Sequence, residues 1–260
     1  MRSTLKSLRH NIIVNNKLTR YALYVIGEVL LIVIGIGIAF SANNYSERSK
    51  AKQESTLFLN DVLQDLASDT IQLNKMLKVL DDKLKVEAWL IDKESFTDED
   101  LDSIKMSVSP VKWSFNINDR SFQNIQNSSG NKLVGYENLY SLISKYYIIT
   151  KIRIEQNNQL EINKTSQNDD FYNTVLENLI IDTNAYQDYT IGAKIKSDRK
   201  NTESEQNITN VVNSLSSIKT QNILKDKYAR HNYLNLSLFI CNIEAKSLYK
   251  TIEKSIKLKN

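Results

Sequence analysis

The chain has 260 residues, with 34 Lys and Arg against 30 Asp and Glu, a formal net charge of +4, one cysteine, six glycines and one proline. A lone Cys241 excludes an intramolecular disulfide, and so few turn-formers argue against a β-rich fold. The basic excess is local: Arg2, Lys6, Arg9, Lys17 and Arg20 stand in a tail with no acidic residue, which accounts for +5 and leaves about −1 on residues 21–260. It therefore signals topology and gives no support to nucleic-acid binding, which needs a basic face on the folded part.

Residues 21–40 read YALYVIGEVLLIVIGIGIAF, with Glu28 as the only acidic or basic side chain. That length matches the roughly 30 Å hydrocarbon core of a bilayer. Tyr21 and Tyr24 on one side and Tyr45 on the other suit headgroup depth, and the basic tail places the N-terminus in the cytoplasm. A cleaved signal peptide is the rival reading, with Ala39 and Ser41 as small residues before the cut. Against it, the run exceeds the usual h-region of about 7–15 residues, carries a carboxylate and continues without a break. The expected organisation is a basic cytoplasmic tail over residues 1–20, a transmembrane helix over 21–42 and an extracytoplasmic helical bundle over 43–260.

Beyond the span, Leu59, Leu63, Leu66, Thr70, Leu73, Leu77, Leu80, Leu84 and Ile91 form a heptad-like stripe with no Gly or Pro between Phe40 and Asp92. The spacing predicts one helix leaving the membrane and continuing outward. Thr97 followed by Asp98, Glu99 and Asp100 predicts a cap and a short helix to about Met106. Pro110 and the alternation of Val111, Trp113, Phe115 and Ile117 predict an extended stretch. Asn118 or Asp119 then caps a short helix that ends at Ser128-Ser129-Gly130. Further helices are expected from Glu137 to about Asn163, from Asp169 to about Tyr189, and from about Gln221 to Ile256. Residues 194–207 read as a loop or a frayed helix start. In the last helix Leu234, Leu238, Cys241, Ala245, Leu248 and Ile252 share one stripe, which makes Cys241 a small buried hydrophobe. The segment Tyr233–Ile243 is conspicuously apolar but too short, and too interrupted by Asn235, Ser237 and Asn242, to be a second span. The fold class is all-α.

The block from Asn16 through Lys17-Leu18-Thr19-Arg20-Tyr21-Ala22-Leu23-Tyr24-Val25-Ile26-Gly27-Glu28-Val29, on through Gly35-Ile36-Gly37-Ile38-Ala39 to Asn43-Asn44-Tyr45, resembles the signature of a domain-of-unknown-function family of bacterial single-pass membrane proteins. Weaker echoes occur at residues 121–130 and at Leu142-Ile143-Ser144-Lys145-Tyr146-Tyr147. The chain departs from that pattern at Ser41-Ala42, where the family favours longer side chains. The resemblance implies a bacterial envelope location and a helical exported part, and it implies no activity.

Chemistry is sparse. Glu28 is costly in a bilayer, so such a residue is usually paired, protonated, functional or snorkelled to the interface. Gly35 and Ala39 form a small-xxx-small pair, and Gly27 lies two turns earlier on nearly the same face, a groove that lets helix backbones approach. With His10 in the tail and His231 outside, no histidine pair forms within a chain, and His231 reads as a helix-surface residue. The Asp81-Asp82, Asp98-Glu99-Asp100 and Asp169-Asp170 clusters read as solvated caps with no nucleophile beside them. The chain reads as no enzyme and takes no cofactor or metal. Its expected partners are membrane lipid and either a second copy or another envelope protein. Two functional readings follow: a membrane-anchored helical scaffold or accessory subunit in the bacterial inner membrane with a periplasmic C-terminal domain, or an extracytoplasmic sensor. A sensor would have a pocket near Trp113, Phe115 and Tyr146, and it would need a cytoplasmic output module for which a basic tail of about 20 residues leaves little room.

Overall fold

Twenty apolar residues followed by an uninterrupted heptad contain nothing to stop a helix, and a single 76-residue helix, α1, runs Lys17–Asp92. The computed structural model describes residues 17–108, 112–127, 133–179 and 205–258. Among these, the other helices are α2 (Leu101–Val108), α3 (Arg120–Asn127), α4 (Glu137–Ser166), α5 (Asp169–Asn178), α6 (Glu205–Leu215) and α7 (Ile218–Lys257), and every regular element is helical. The chain divides into two units, one holding residues up to Leu57 with Leu133–Gly135, the other Phe58–Lys132 and Tyr136–Asn260. Arg2, Lys6 and Arg9, together with Pro110, Val111, the Ser128–Gly130 turn and the expected helix over 180–189, lie outside the described residues.

In the first unit, the apolar side chains of the 21–40 run are exposed, and this helix is long and apolar enough to cross a membrane with none of its apolar stretch buried within the chain. Gly135 adopts φ +82°, and a Cβ there would meet the Lys52 side chain at 3.4 Å. This is a left-handed turn in which glycine avoids the usual steric penalty.

In the second unit, α1 buries a strict seven-residue repeat. Leu59, Leu66, Leu73, Leu80 and Glu87 fill one column, and Val62, Asp69, Met76 and Leu90 the other, with Lys83 partly covered. The expected first column holds. The expected second column does not: of Leu63, Thr70, Leu77, Leu84 and Ile91 only Leu84 is buried, and the rest line the margin. Hydropathy points one residue too far along because the true column carries Asp69 and Lys83.

Leu73, Met76, Leu80 and Leu84 pack with Phe115, Ile154, Leu234, Leu238 and Cys241. Asn242 Nδ2 donates to Asn74 Oδ1 at 2.8 Å, and His231 lies against Glu87, so α7 runs antiparallel to α1 and their stripes meet. Arg153 pairs with Glu244 and Arg230 with Glu161, which makes α4 antiparallel to α7. A second cluster closes one end of this three-helix arrangement: Leu90, Ile104, Val108, Phe171, Tyr172, Val175, Val211, Leu215 and Leu224 bring α2, α5 and α6 together. Helix α6 is an addition to the expected set. Its Ile208, Val211, Val212 and Leu215 give a one-sided helix, but the polar residues around them conceal it.

Local chemistry sets the joins. The Thr97 N–H donates to Asp100 Oδ2 at 2.7 Å, half of a capping box that starts the turn Asp98–Asp100 ahead of α2. Phe115 lies in the extended stretch and has no strand beside it. The Asn158 amide replaces one, accepting from the Phe115 N–H at 3.1 Å and donating to its carbonyl at 2.8 Å, so both backbone groups are satisfied. Ser217 caps α7 by accepting from the Thr220 N–H at 3.2 Å.

Candidate functional site

Charged side chains in a helical core require partners, because desolvating a lone ion is costly. Between the two apolar clusters lies a layer in which those partners are provided. His231, fully buried on α7, is held between two carboxylates. Its Nδ1 is 2.9 Å from both oxygens of Glu87 on α1, and its Nε2 is 3.2 Å from Glu161 Oε1 on α4. Arg230 Nε donates to Glu161 Oε2 at 3.2 Å and its Nη1 to Asp226 Oδ2 at 2.7 Å. Thr165 Oγ1 donates to Glu161 Oε1 at 3.2 Å. Lys227 Nζ donates to the Ser107 carbonyl at 2.9 Å, stands 4.0 Å from Glu87 Oε1 and lies over the Tyr172 ring at 5.3 Å. Trp113 meets the His231 ring edge-on at 6.3 Å.

Each ring nitrogen of His231 faces a carboxylate oxygen, so any proton the ring carries has an acceptor in front of it. Burial alone would raise the Glu161 carboxyl, but hydrogen bonding and charge from His231, with Arg230, hold it below its usual value. Burial pushes the Lys227 ammonium down to about 7 and the Tyr172 phenol up to about 12. The layer joins α1, α4 and α7 by charge, with every acid facing a base. The sequence pattern puts His231 on the helix surface, whereas the structure places it at the centre of the core. The available signal was its place between Leu224 and Leu238 on the buried stripe of α7, together with Glu87 seven residues after Leu80.

A second polar layer fixes α3. Asp65 accepts from Asn118 Nδ2 at 2.7 Å and from the Ser121 N–H at 3.1 Å, while both oxygens of Asp69 accept from the Asn118 N–H at 3.0 and 3.2 Å. Two carboxylates of α1 thereby satisfy backbone donors at and before the N-terminus of α3, where negative charge is favoured. Burial, with Asp65 and Asp119 nearby, pushes the Asp69 carboxyl up to about 6 against the lowering effect of the Asn118 N–H. Asp119 meets Lys151 at 2.8 Å, and beside them is an open depression of about 350 Å³ between α3 and α4, walled by Phe122, Gln126, Tyr147 and Ile148.

Of the pocket residues expected from the sequence, Trp113 and Phe115 belong to the central apolar cluster and Tyr146 is buried on α4, its ring edge-on to Tyr147 at 5.1 Å. None of the three lines the depression. Cys241 is fully buried, and burial raises its thiol. Among the described residues no group of three or more His, Cys, Asp or Glu has the arrangement to hold a metal ion. In the first unit Glu28 and Ala39 are exposed, and an added Cβ at Gly27 or Gly35 would meet nothing within 4 Å. Arg20 begins the exposed run, and Lys17 opens α1.

A family model described as a family of unknown function (DUF6090) matches residues 28–179, more than half of the chain. The match starts at Glu28 and covers most of the span, the buried repeat of α1 and α4. No curated protein and no solved structure matches the chain.

Proposed function

Since this chain belongs to the family of unknown function DUF6090, and membership supplies no activity, we propose from its geometry that it is a single-pass protein of a bacterial inner membrane. In this reading its N-terminus is cytoplasmic, and a periplasmic helical unit acts as a scaffold or accessory subunit through contact with envelope proteins. The observation that carries the reading is the uncovered span. Leu31, Ile38 and Phe40 are 65–72 % exposed, and at about 25 cal/mol per Å² an apolar run of this length is untenable in water. A bilayer covers it. Contact as the mode of action is supported by the interior of the second unit, where the ionisable groups are committed to one another: Glu87, Glu161, His231 and Arg230 are all at least nine-tenths buried. Groups in that state hold helices together and do not meet a substrate.

A reporter fused after Asn260 tests the placement: it should be active only outside, and protease added to spheroplasts should remove the helical unit. Activity in the cytoplasm, or a mature N-terminus near Ala42, overturns it. The sensing alternative rests on the depression beside Asp119 and Lys151. A small ligand that raises the melting point by several degrees, with the gain lost in Lys151→Ala, would favour sensing over scaffolding.

A further inference from the structure

The segment Tyr233–Ile243 is apolar on both sides of α7. Leu234, Leu238 and Cys241 point into the core, while Leu236, Phe239 and Ile243 are 52–55 % exposed and Ile240 36 %. A helix apolar all round belongs in a covered position. Across the surface from it, Ile149 and Ile152 of α4 are also about half exposed. The two rows adjoin at one level, because the Arg153–Glu244 pair joins the antiparallel α4 and α7 at 3.1 Å: Ile152 and Ile243, the residues next to the pair, stand at the same height, with Ile149 one turn to one side of it and Ile240, Phe239 and Leu236 on the other.

We infer that this α4/α7 face is the interface on which a second copy of the chain docks, which rests on the contact reading above and names its partner. The six half-exposed side chains present on the order of 500 Å², at the upper end for a monomer's largest patch. That approaches the roughly 800 Å² one partner contributes to a standard interface. The face is apolar and its Arg153–Glu244 pair is already satisfied within one chain, so an identical face meets it without leaving a charge unpaired. About a two-fold axis each Glu244, whose side chain is 42 % exposed, can reach the partner's Arg153 while keeping its own. A partly exposed ion pair beside these apolar rows is tolerated between proteins, where it can be hydrogen-bonded, and costly against acyl chains. Two chains tethered in one membrane point the same way at high effective concentration, which is the arrangement a two-fold axis along the membrane normal requires.

The test uses the full chain in its membrane. In a Cys241→Ala background, Leu236→Cys, Ile240→Cys and Ile243→Cys should give dimers on oxidation or with a short bismaleimide, and Lys78→Cys on α1 should not. In detergent the wild type should have the mass of two chains. Ile240→Glu, and separately Phe239→Lys, should weaken association at least tenfold with helicity unchanged. Crosslinks confined to span positions, capture of lipid alone by photoreactive groups at residues 236–243, or no self-crosslinking at any face position each overturn the dimer. If those same face positions crosslink only to a different protein, the dimer falls and the contact reading stands.

Discussion

Replacing Asp69 by asparagine is the sharpest probe of the polar layer that fixes α3. The Asp69 carboxyl is fully buried and pushed up to about 6 from 3.8. A shift of about two units disfavours its ionised form by roughly 3 kcal/mol at 1.36 kcal/mol per unit. The sign follows from proton counting. Between about pH 4 and 6 the folded chain keeps a proton that the unfolded chain has released, so stability falls as pH rises through that window and stays lower above it. The asparagine amide is neutral at every pH, matches Asp in shape and keeps an oxygen to accept the Asn118 N–H. The shift already includes the lowering by the Asn118 N–H, so nothing more is subtracted for that bond. Asp69→Asn should therefore be about 3 kcal/mol more stable than wild type at pH 7.5, roughly 6–12 °C in melting point for a chain of this size. At pH 4 the two proteins should be nearly equal. Thermal melts of the full chain in detergent, followed by circular dichroism at pH 4, 5, 6 and 7.5, measure both. A variant that is less stable at pH 7.5 and keeps the wild-type slope between pH 4 and 6 refutes the reasoning.

Other expectations concern the ion layer and the span. Glu161→Ala strips His231 and Arg230 of a shared carboxylate and should cost about 3–5 kcal/mol in denaturant unfolding, whereas Glu161→Gln should cost less. Lys227, held down to about 7, makes wild-type stability rise between about pH 7 and 10, where the unfolded chain binds the extra proton; Lys227→Met should flatten that rise, as read from melts at pH 7, 8.5 and 10. Within the span, Gly35→Leu meets no obstacle inside one chain, so a fall in crosslinking between span positions would report close packing of two spans; equal crosslinking in wild type and variant removes that role for Gly35 and Ala39. Glu28→Gln should insert normally and leave such crosslinking largely unchanged.

The all-helical class, the continuity of α1 and the buried stripe of α7 were legible because they depend on period and on the scarcity of Gly and Pro, both local properties. The ion layer was not. Glu87, Glu161 and His231 lie 70 or more residues apart, on three different helices, and each alone reads as an ordinary surface residue. Only pairing across helices makes their burial affordable, and pairing is invisible to a hydropathy pattern. The same blindness displaced the second column of α1 from Asp69 and Lys83 to its apolar neighbours. The Asn158 amide standing in for a strand beside Phe115 leaves no sequence signature at all, because any Asn there looks like helix surface.

A seven-residue repeat is degenerate by construction, since a helix built on it can shift by two turns and meet the same apolar pattern. In α1 the charges remove that freedom. Moved along by one repeat, Leu80 would face His231 in place of Glu87, and Asp69 would enter the apolar cluster where Met76 now sits. Each error leaves a charge buried without its counterpart, and together they cost well over the roughly 3–5 kcal/mol of a single broken pair. The repeat supplies adhesion and the charges supply position, like the teeth on an otherwise smooth rack. Sliding α1 past α7 in piston fashion is therefore closed to this bundle. Any rearrangement that leaves it folded has to turn or bend the helix within its present register.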